Sequence, residues 1–345
     1  MFSGKSRPLS GNLRIEEKTE KMPPLLEVIG LTTHFITYRG QRLVKAVDGL
    51  SFRVNEGETV ALIGESGCGK TTASLSIVRI LPPAAHIVAG KVILDGENLL
   101  EKSPQYMCKM IRGKKVAMIP QDPMSSLDPI FTIGDQIAES LRLHQNLHSL
   151  RLVERMKELL SWVKISAPES RLRQYPHQFS GGMRQRVVGA ISLAGMPKLL
   201  IADEPTTNLD VTIQAQYLAL LQEIQRKTGL GILFITHNLG IVARLCTYVV
   251  VMYAGRAVEK APTIDLFDRA AHPYSRALIM SIPRMGTKQK VVAIEGQPPD
   301  LANLPPGCSF HPRCPDKLER CVSEEPPEIK LGPSRYVRCW RVQGG

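Results

Sequence analysis

Residues 64–71 read Gly-Glu-Ser-Gly-Cys-Gly-Lys-Thr, and their spacing is that of a phosphate-binding loop set between a strand and a helix. Glycines let the backbone wrap until several N–H groups point at one anion, and the following helix N-terminus adds positive dipole. Lys70 is expected to reach the β- and γ-phosphates, and the Thr71 hydroxyl to ligate Mg²⁺. Further along, Leu199-Leu-Ile-Ala-Asp203-Glu204 is an apolar run ending in two carboxylates. A buried strand of that kind delivers its acids to the carboxyl edge of a sheet, where α/β proteins bind ligands. Asp203 is placed to hold Mg²⁺ through water, and Glu204, pointing the other way, to polarise an attacking water. Together the two stretches read as a nucleoside triphosphate site.

A second cluster lies near the C-terminus. Cys68, Cys108 and Cys246 are scattered, while Cys308, Cys314, Cys321 and Cys339 crowd together with spacings of x5, x6 and x17. In a chain without an apolar signal core such clustering points to a metal rather than to a disulfide framework. Close C-x₂₋₄-C pairs, usual for structural zinc, are missing. Four thiolates also suit an iron–sulfur cluster, and four free thiols in an irregular tail are the third reading.

The elements that must position these groups are legible in outline. Glu58-Thr-Val-Ala-Leu-Ile63 is strand-like and Thr72 to Ile80 helical. Leu25 to Val54 alternates short β-rich runs with turns, as an antiparallel β subdomain would, and Gly90–Gly96 and Val116–Ile119 are short strands. From 132 to 174, Ile133, Ile137, Leu141, Val153, Met156, Leu159 and Leu160 recur at helical spacing, which predicts a helical insertion. The strands Leu199–Asp203, Gly231–Thr236 and Tyr248–Tyr253, separated by helical stretches, predict a parallel sheet. Residues 1–21 are polar and aperiodic and are expected to be a disordered leader, with Met22 an alternative start. The predicted organisation is an α/β nucleotide-binding domain over 22–265, with a helical subdomain at about 125–190, and a small irregular extension over 266–345.

Composition narrows the function classes. The 345 residues suffice for one large α/β domain plus an appendage, and no apolar run is long enough to span a bilayer. Net charge is +12, from 44 Lys and Arg against 32 Asp and Glu, spread without a block of like charges. That argues against a nucleic-acid stripe and fits equally a membrane surface or a polyanionic nucleotide.

With Phe179-Ser180-Gly181-Gly182-Met183-Arg184-Gln185-Arg186 added, the pieces resemble the ATP-binding cassette (ABC) family, over about residues 25–260. The resemblance implies a P-loop NTPase fold with an antiparallel β subdomain and a helical insertion. It implies that Gly64, Glu65, Ser66, Gly67, Cys68, Gly69, Lys70, Thr71 and Thr72 cradle ATP, with Mg²⁺ on Thr71, Gln121 and Asp203. Glu204 would act on water, Gln121 would relay to the helical insertion, and His237 would contact the γ-phosphate. Ser180, Gly181 and Gly182 would reach the ATP of a partner across a head-to-tail dimer, with Asp210 in the dimer-contact loop. Here Met183 stands where the family usually has glutamine. Tyr38, or failing it Phe35, would stack on adenine. Oxidation or alkylation of Cys68 should block nucleotide.

The tail, through Ala271–Leu278, Gly296-Gln-Pro-Pro-Asp300 and Phe310-His-Pro-Arg-Cys314, looks like the extension of oligopeptide, dipeptide and nickel importer ATPases. The resemblance is to the first, dipeptide-permease D type, member of a non-identical ATPase pair. It implies an ATPase on the cytoplasmic face of the membrane, bound to two transmembrane permeases and a second ATPase. A solute-binding protein would act with them indirectly, and no nucleic acid would be involved. It also implies a 4Fe-4S cluster on Cys308, Cys314, Cys321 and Cys339, with zinc as the alternative; His272 and His311 are read as turn residues. The tail site is expected to be separable from the nucleotide site, so that serine at 314 and 339 removes iron and spares ATP binding. Two other classes stay open: a soluble cassette ATPase acting on ribosomes or nucleic acid, and a regulator whose metal tail is the sensor.

Overall fold

The computed structural model describes residues 23–37, 40, 42–207, 209–282 and 294–344. The leader, Met22, Tyr38 and Asn208 lie outside the described residues. In chain order the strands are β1 (Leu26–Thr37), β2 (Arg42–Val54), β3 (Thr59–Ile63), β4 (Ala85–Leu94), β5 (Glu97–Asn98) and β6 (Val116–Ile119). They continue as β7 (Leu199–Asp203), β8 (Gly231–Ile235), β9 (Tyr248–Tyr253), β10 (Arg256–Pro262), β11 (Ile329–Gly332) and β12 (Arg335–Val337).

One sheet has the order β2-β1-β4-β5 and is antiparallel throughout. The other runs β11-β12-β10-β9-β3-β8-β7-β6. Within it β9, β3, β8, β7 and β6 are parallel, and β10, β12 and β11 add an antiparallel edge. Every residue of β3, β7 and β8 is buried. Their Val, Leu, Ile and Phe runs are what a strand covered on both faces requires. The parallel order has a direct consequence: the turns after β3, β6, β7 and β8 all emerge at one edge, where their side chains can meet.

The helical insertion folds as its spacing demands. The helix Ile133–Gln145 starts at a capping box, Thr132 with Asp135, and buries Ile133, Ile137, Ala138 and Leu141. The helix Ser149–Trp162 buries Leu152, Met156, Leu159 and Leu160, an i, i+4, i+7, i+8 stripe. Val153, assigned to that stripe by sequence spacing, instead lies on the exposed side at 40%. The helix after the phosphate-binding loop runs Lys70–Val78, two residues earlier than its composition suggested, because it begins directly on the loop.

The C-terminal segment is tied into the same sheet. β12 pairs with β10 through Glu259 and Lys260. Phe310, 2% exposed, packs edge-on against Tyr253 of β9, with ring centroids 5.2 Å apart, and also meets Tyr274 and His272. Each such aromatic pair adds about 1 kcal/mol beyond area burial. The irregular tail is thus held by an aromatic wedge where regular hydrogen bonding is sparse.

Candidate functional site

Between β3 and the helix Lys70–Val78 the chain wraps through three glycines with positive φ: Gly64, Gly67 and Gly69. At Gly69 the need for glycine is steric as well as conformational. A Cβ there would collide with the Ala46 carbonyl, since the loop lies directly on β2. Lys70, 6% exposed, folds back and donates to the carbonyls of Gly64 (2.8 Å) and Glu65 (2.9 Å). Those bonds keep its ammonium under the loop, where a phosphate would sit.

A cavity of about 170 Å³ opens here, lined by Ala46, Ser66, Gly67, Gly69, Lys70, Thr71, Thr72, Gln121, Glu204 and Leu301. Asp203, next to the lining Glu204, is buried beside it at 1% exposed. One carboxylate oxygen accepts from Ser74 Oγ at 3.4 Å, and the Thr71 side chain lies near enough to favour the ionised form. The other oxygen, Oδ1, is buried without a hydrogen-bond partner. Burial pushes the Asp203 carboxyl above its ordinary value, with Glu204 adding to the rise and Thr71 and Lys70 opposing it. An orphaned carboxylate oxygen beside a threonine hydroxyl is a donor set suited to a hard divalent cation such as Mg²⁺.

Glu204 follows with φ +46, a left-handed turn that carries its side chain to the cavity, and its N–H is fixed on the Ile235 carbonyl at 2.9 Å. Its Oε1 lies 3.1 Å from His237 Nδ1, and Oε2 accepts from Thr207 Oγ1 at 3.2 Å. His237 extends from the end of β8 with its side chain 67% exposed. The four β-strand ends therefore bring together the phosphate-binding loop, Gln121, Asp203 with Glu204, and His237.

Other expected residues lie elsewhere. Ser180 caps the helix Gly181–Leu193 by accepting from Met183 N–H, and Asp210 caps Val211–Thr228 by accepting from Ile213 N–H. Neither they nor Gly181 and Gly182 line the cavity of their own chain. Gly182 packs so closely on Ile213 that a Cβ would stand 2.6 Å from it, which accounts for a second glycine at that position.

Two loop residues depart from the role their positions suggested. Glu65 does not face the cavity: its carboxylate takes a two-pronged bond from Arg313, at 2.7 and 2.9 Å, and its N–H donates to Tyr274 Oη at 2.8 Å. Cys68 is 6% exposed, and burial raises its thiol pKa despite the neighbouring Lys70. A buried, protonated thiol is a poor target for the oxidation or alkylation that would block nucleotide.

Arg313, Tyr274, Ala46 and Leu301 are the site residues that sequence reasoning missed. Leu301 is held beside the loop by Lys45 N–H, which donates to its carbonyl at 3.1 Å, and by the neighbouring Arg42–Asp300 ion pair at 2.6 Å. The Pro-Pro-Asp300 and Pro-Arg-Cys314 stretches were the available signal. Nothing in one dimension linked them to residue 65.

The four tail cysteines come from four separate segments into one neighbourhood. Cys308 N–H donates to the Cys321 carbonyl, and Leu318 N–H reaches Cys321 Sγ at 3.4 Å. Cys321 and Cys339 lie within electrostatic reach of Cys308, as do Cys308 and Cys339 of Cys314. Burial holds the thiols of Cys308 and Cys339 above their ordinary value and that of Cys314 at about 11. Among the described residues, however, no group of three His, Cys, Asp or Glu is drawn together as a single ion would require. A tetrahedral zinc holds its sulfurs about 3.8 Å apart. Neither the zinc nor the 4Fe-4S expectation gains support from this arrangement. His272 caps the helix Pro273–Met280 through its Nδ1. His311 closes a turn on the Cys308 carbonyl. Both are turn residues, as expected.

Comparisons with known proteins agree with this geometry. Residues 47–207 match the family model described as ABC transporter, and residues 258–321 the one described as oligopeptide/dipeptide transporter, C-terminal region. A probable peptide ABC transporter ATP-binding protein of Sinorhizobium fredii is 46% identical, over 94% of this chain and 97% of its own length. The dipeptide transport ATP-binding protein DppD of Bacillus subtilis is 45% identical, over 92% and 95%. A dimeric ATP-binding cassette, solved in a post-hydrolysis state with ADP and Pi, superposes with a TM-score of 0.61 at 22% identity. It covers 69% of this chain and 98% of that one, a likeness of fold.

Proposed function

The chain belongs to the ABC transporter family as an ATPase with the oligopeptide/dipeptide transporter C-terminal region, and on that premise we propose that it powers import of peptides or a related small solute through a membrane permease complex. The observation that carries the reading is the union of two features: a complete phosphate cavity and a C-terminal extension built onto the same sheet. Among the described residues no helix is long and apolar enough to cross a membrane. In this reading the chain acts from the membrane surface on partners that do cross it: two permease subunits, with a second, non-identical ATPase completing the working pair. A solute-binding protein on the far side would deliver the cargo. The reading places the chain peripherally, on the cytoplasmic face.

In this reading Lys70 and the loop N–H groups bind the phosphates, and Tyr38 stacks on adenine. Thr71, Asp203 and Gln121 hold Mg²⁺, which neutralises phosphate charge when bound. Glu204, braced by Thr207 and His237, is positioned to orient the attacking water. Ser180, Gly181 and Gly182, away from their own cavity, serve the ATP bound by the partner ATPase, and Asp210 lies at that contact. ATP thereby favours the closed pair, and hydrolysis releases it; differential affinity for the two states is what moves the permeases. The residues Cys308, Cys314, Cys321 and Cys339 would hold a 4Fe-4S cluster, a reading supported by their grouping within one extension and by the bond from Cys308 N–H to the Cys321 carbonyl.

The test is mass spectrometry of what co-purifies with the chain from its own membranes in mild detergent. Two multi-span permeases, a second cassette ATPase and a solute-binding protein are expected. Ribosomal proteins or nucleic acid without a permease would overturn the transport reading.

A further inference from the structure

The phosphate-binding loop carries an acid, Glu65, in a place that must receive a polyanion. A free carboxylate there would repel every phosphate that entered. The structure disposes of it with one residue from 248 positions away: Arg313 grips both oxygens, at 2.7 and 2.9 Å, with its own side chain 4% exposed. The guanidinium is itself fixed. Its Nε donates to the Glu295 carbonyl at 2.9 Å, its Nη1 reaches Tyr253 Oη at 3.3 Å, and it lies over the Tyr253 ring. Glu65 is held at its other polar groups too, its N–H by Tyr274 and its carbonyl by Lys70. Both Tyr274 and Arg313 lie in the C-terminal segment: the Tyr274 ring packs on Phe310, and the Phe310 carbonyl accepts from Arg313 N–H at 3.0 Å.

We infer that Arg313 is a positioning residue of the nucleotide site: it turns the Glu65 carboxylate out of the phosphate cavity and cancels its charge, so that the C-terminal extension sets the affinity of the loop for triphosphate. The inference rests on the nucleotide reading above and adds to it a residue outside the cassette. It also makes the two halves of the chain inseparable. Arg313 closes the turn His311–Arg313 immediately before Cys314, so whatever orders the cysteine-bearing turn also orders the partner of Glu65.

A charge-based role predicts a pattern that a merely structural brace does not. The loss on removing Arg313 should grow with the charge of the ligand, weaken in high salt, and be relieved by neutralising Glu65. The experiment is a titration of the full-length chain with fluorescent ATP and ADP at low and high ionic strength, for the unaltered chain, Arg313→Gln, Glu65→Gln, the double variant and Arg320→Gln. Arg320 also belongs to the extension, where it donates to the Trp340 carbonyl at 2.8 Å, away from the loop. Arg313→Gln is expected to weaken ATP on the order of tenfold and ADP less, with the difference shrinking in salt. The double variant should return to within about threefold of the unaltered chain, and Arg320→Gln should bind as the unaltered chain does. Equal losses for ATP and ADP that Glu65→Gln fails to relieve, or no loss at all, would overturn the inference.

Where Arg313→Gln fails to fold, Glu65→Gln decides alone. It keeps an acceptor for the guanidinium and removes only the charge, so ATP should bind at least as tightly as before; a tenfold loss would overturn the proposal. Absence of nucleotide binding by the unaltered chain would instead remove the nucleotide reading itself, a failure distinct from these.

Discussion

His272 makes the stability of this chain depend on pH in a calculable way. The imidazole is 1% exposed beneath Phe310, and burial, reinforced by the Arg276 charge, lowers its pKa to about 3. In the unfolded chain the ordinary value is about 6.5. Between these values the unfolded chain binds a proton that the folded chain refuses, so stability falls as pH falls through 6.5 and continues to fall towards 3. Moving from about pH 7.5 to about pH 5 should remove about 2 kcal/mol through this group alone, and the full excursion about 5 kcal/mol. Other groups titrate in the same window, so the quantity to measure is a difference. His272→Asn keeps a side-chain acceptor for Tyr274 N–H and does not titrate. It loses packing on Phe310 and should be less stable at both pH values. Urea unfolding followed by circular dichroism, at both pH values and for both chains, gives the difference directly. The unaltered chain should lose about 2 kcal/mol more than the variant on acidification. Parallel responses would show that the imidazole is protonated in the fold or that this segment is open before global unfolding, and would refute the reasoning.

Glu204→Gln should retain ATP binding and slow steady-state hydrolysis about a hundredfold or more, with a closed pair accumulating in the presence of the partner ATPase; undiminished turnover would remove Glu204 from its role. Serine at both Cys314 and Cys339 should abolish bound iron measured by elemental analysis, and iron retained there would dismiss the four-cysteine site. Since Arg313 adjoins Cys314, the same double variant should also lose ATP affinity, where sequence alone had suggested the two sites were separable. Cys68 should label with a thiol reagent far more slowly than the exposed Cys108 in the folded chain, and at a comparable rate in denaturant. Equal labelling rates in the native state would contradict its burial.

Much of the site was legible because its chemistry is local. A phosphate loop needs glycines at fixed offsets within eight residues, and an apolar strand ending in two acids announces its own edge; both signals survive in one dimension. The fold class was legible for the same reason, since buried parallel strands read as continuous apolar runs and the helical insertion as a 3.6-residue stripe. Even within that stripe the sequence mistook Val153 for Leu152, because adjacent apolar residues fit one helical face almost equally until the neighbouring helix is placed. What the sequence determined by itself is the identity of the groups that the strand ends gather at one edge of the sheet: Lys70, Thr71, Gln121, Asp203, Glu204 and His237. What only the tertiary structure decided is which of the loop residues line the cavity there. Glu65 looks like one more cradle residue until Arg313 and Tyr274 arrive from the far end of the chain, and nothing local shows that Cys68 is buried. Propensity and spacing act over a few residues, whereas the energy of pairing a carboxylate depends on a cation brought close in space by sheet edge and aromatic packing, and no local pattern encodes that approach.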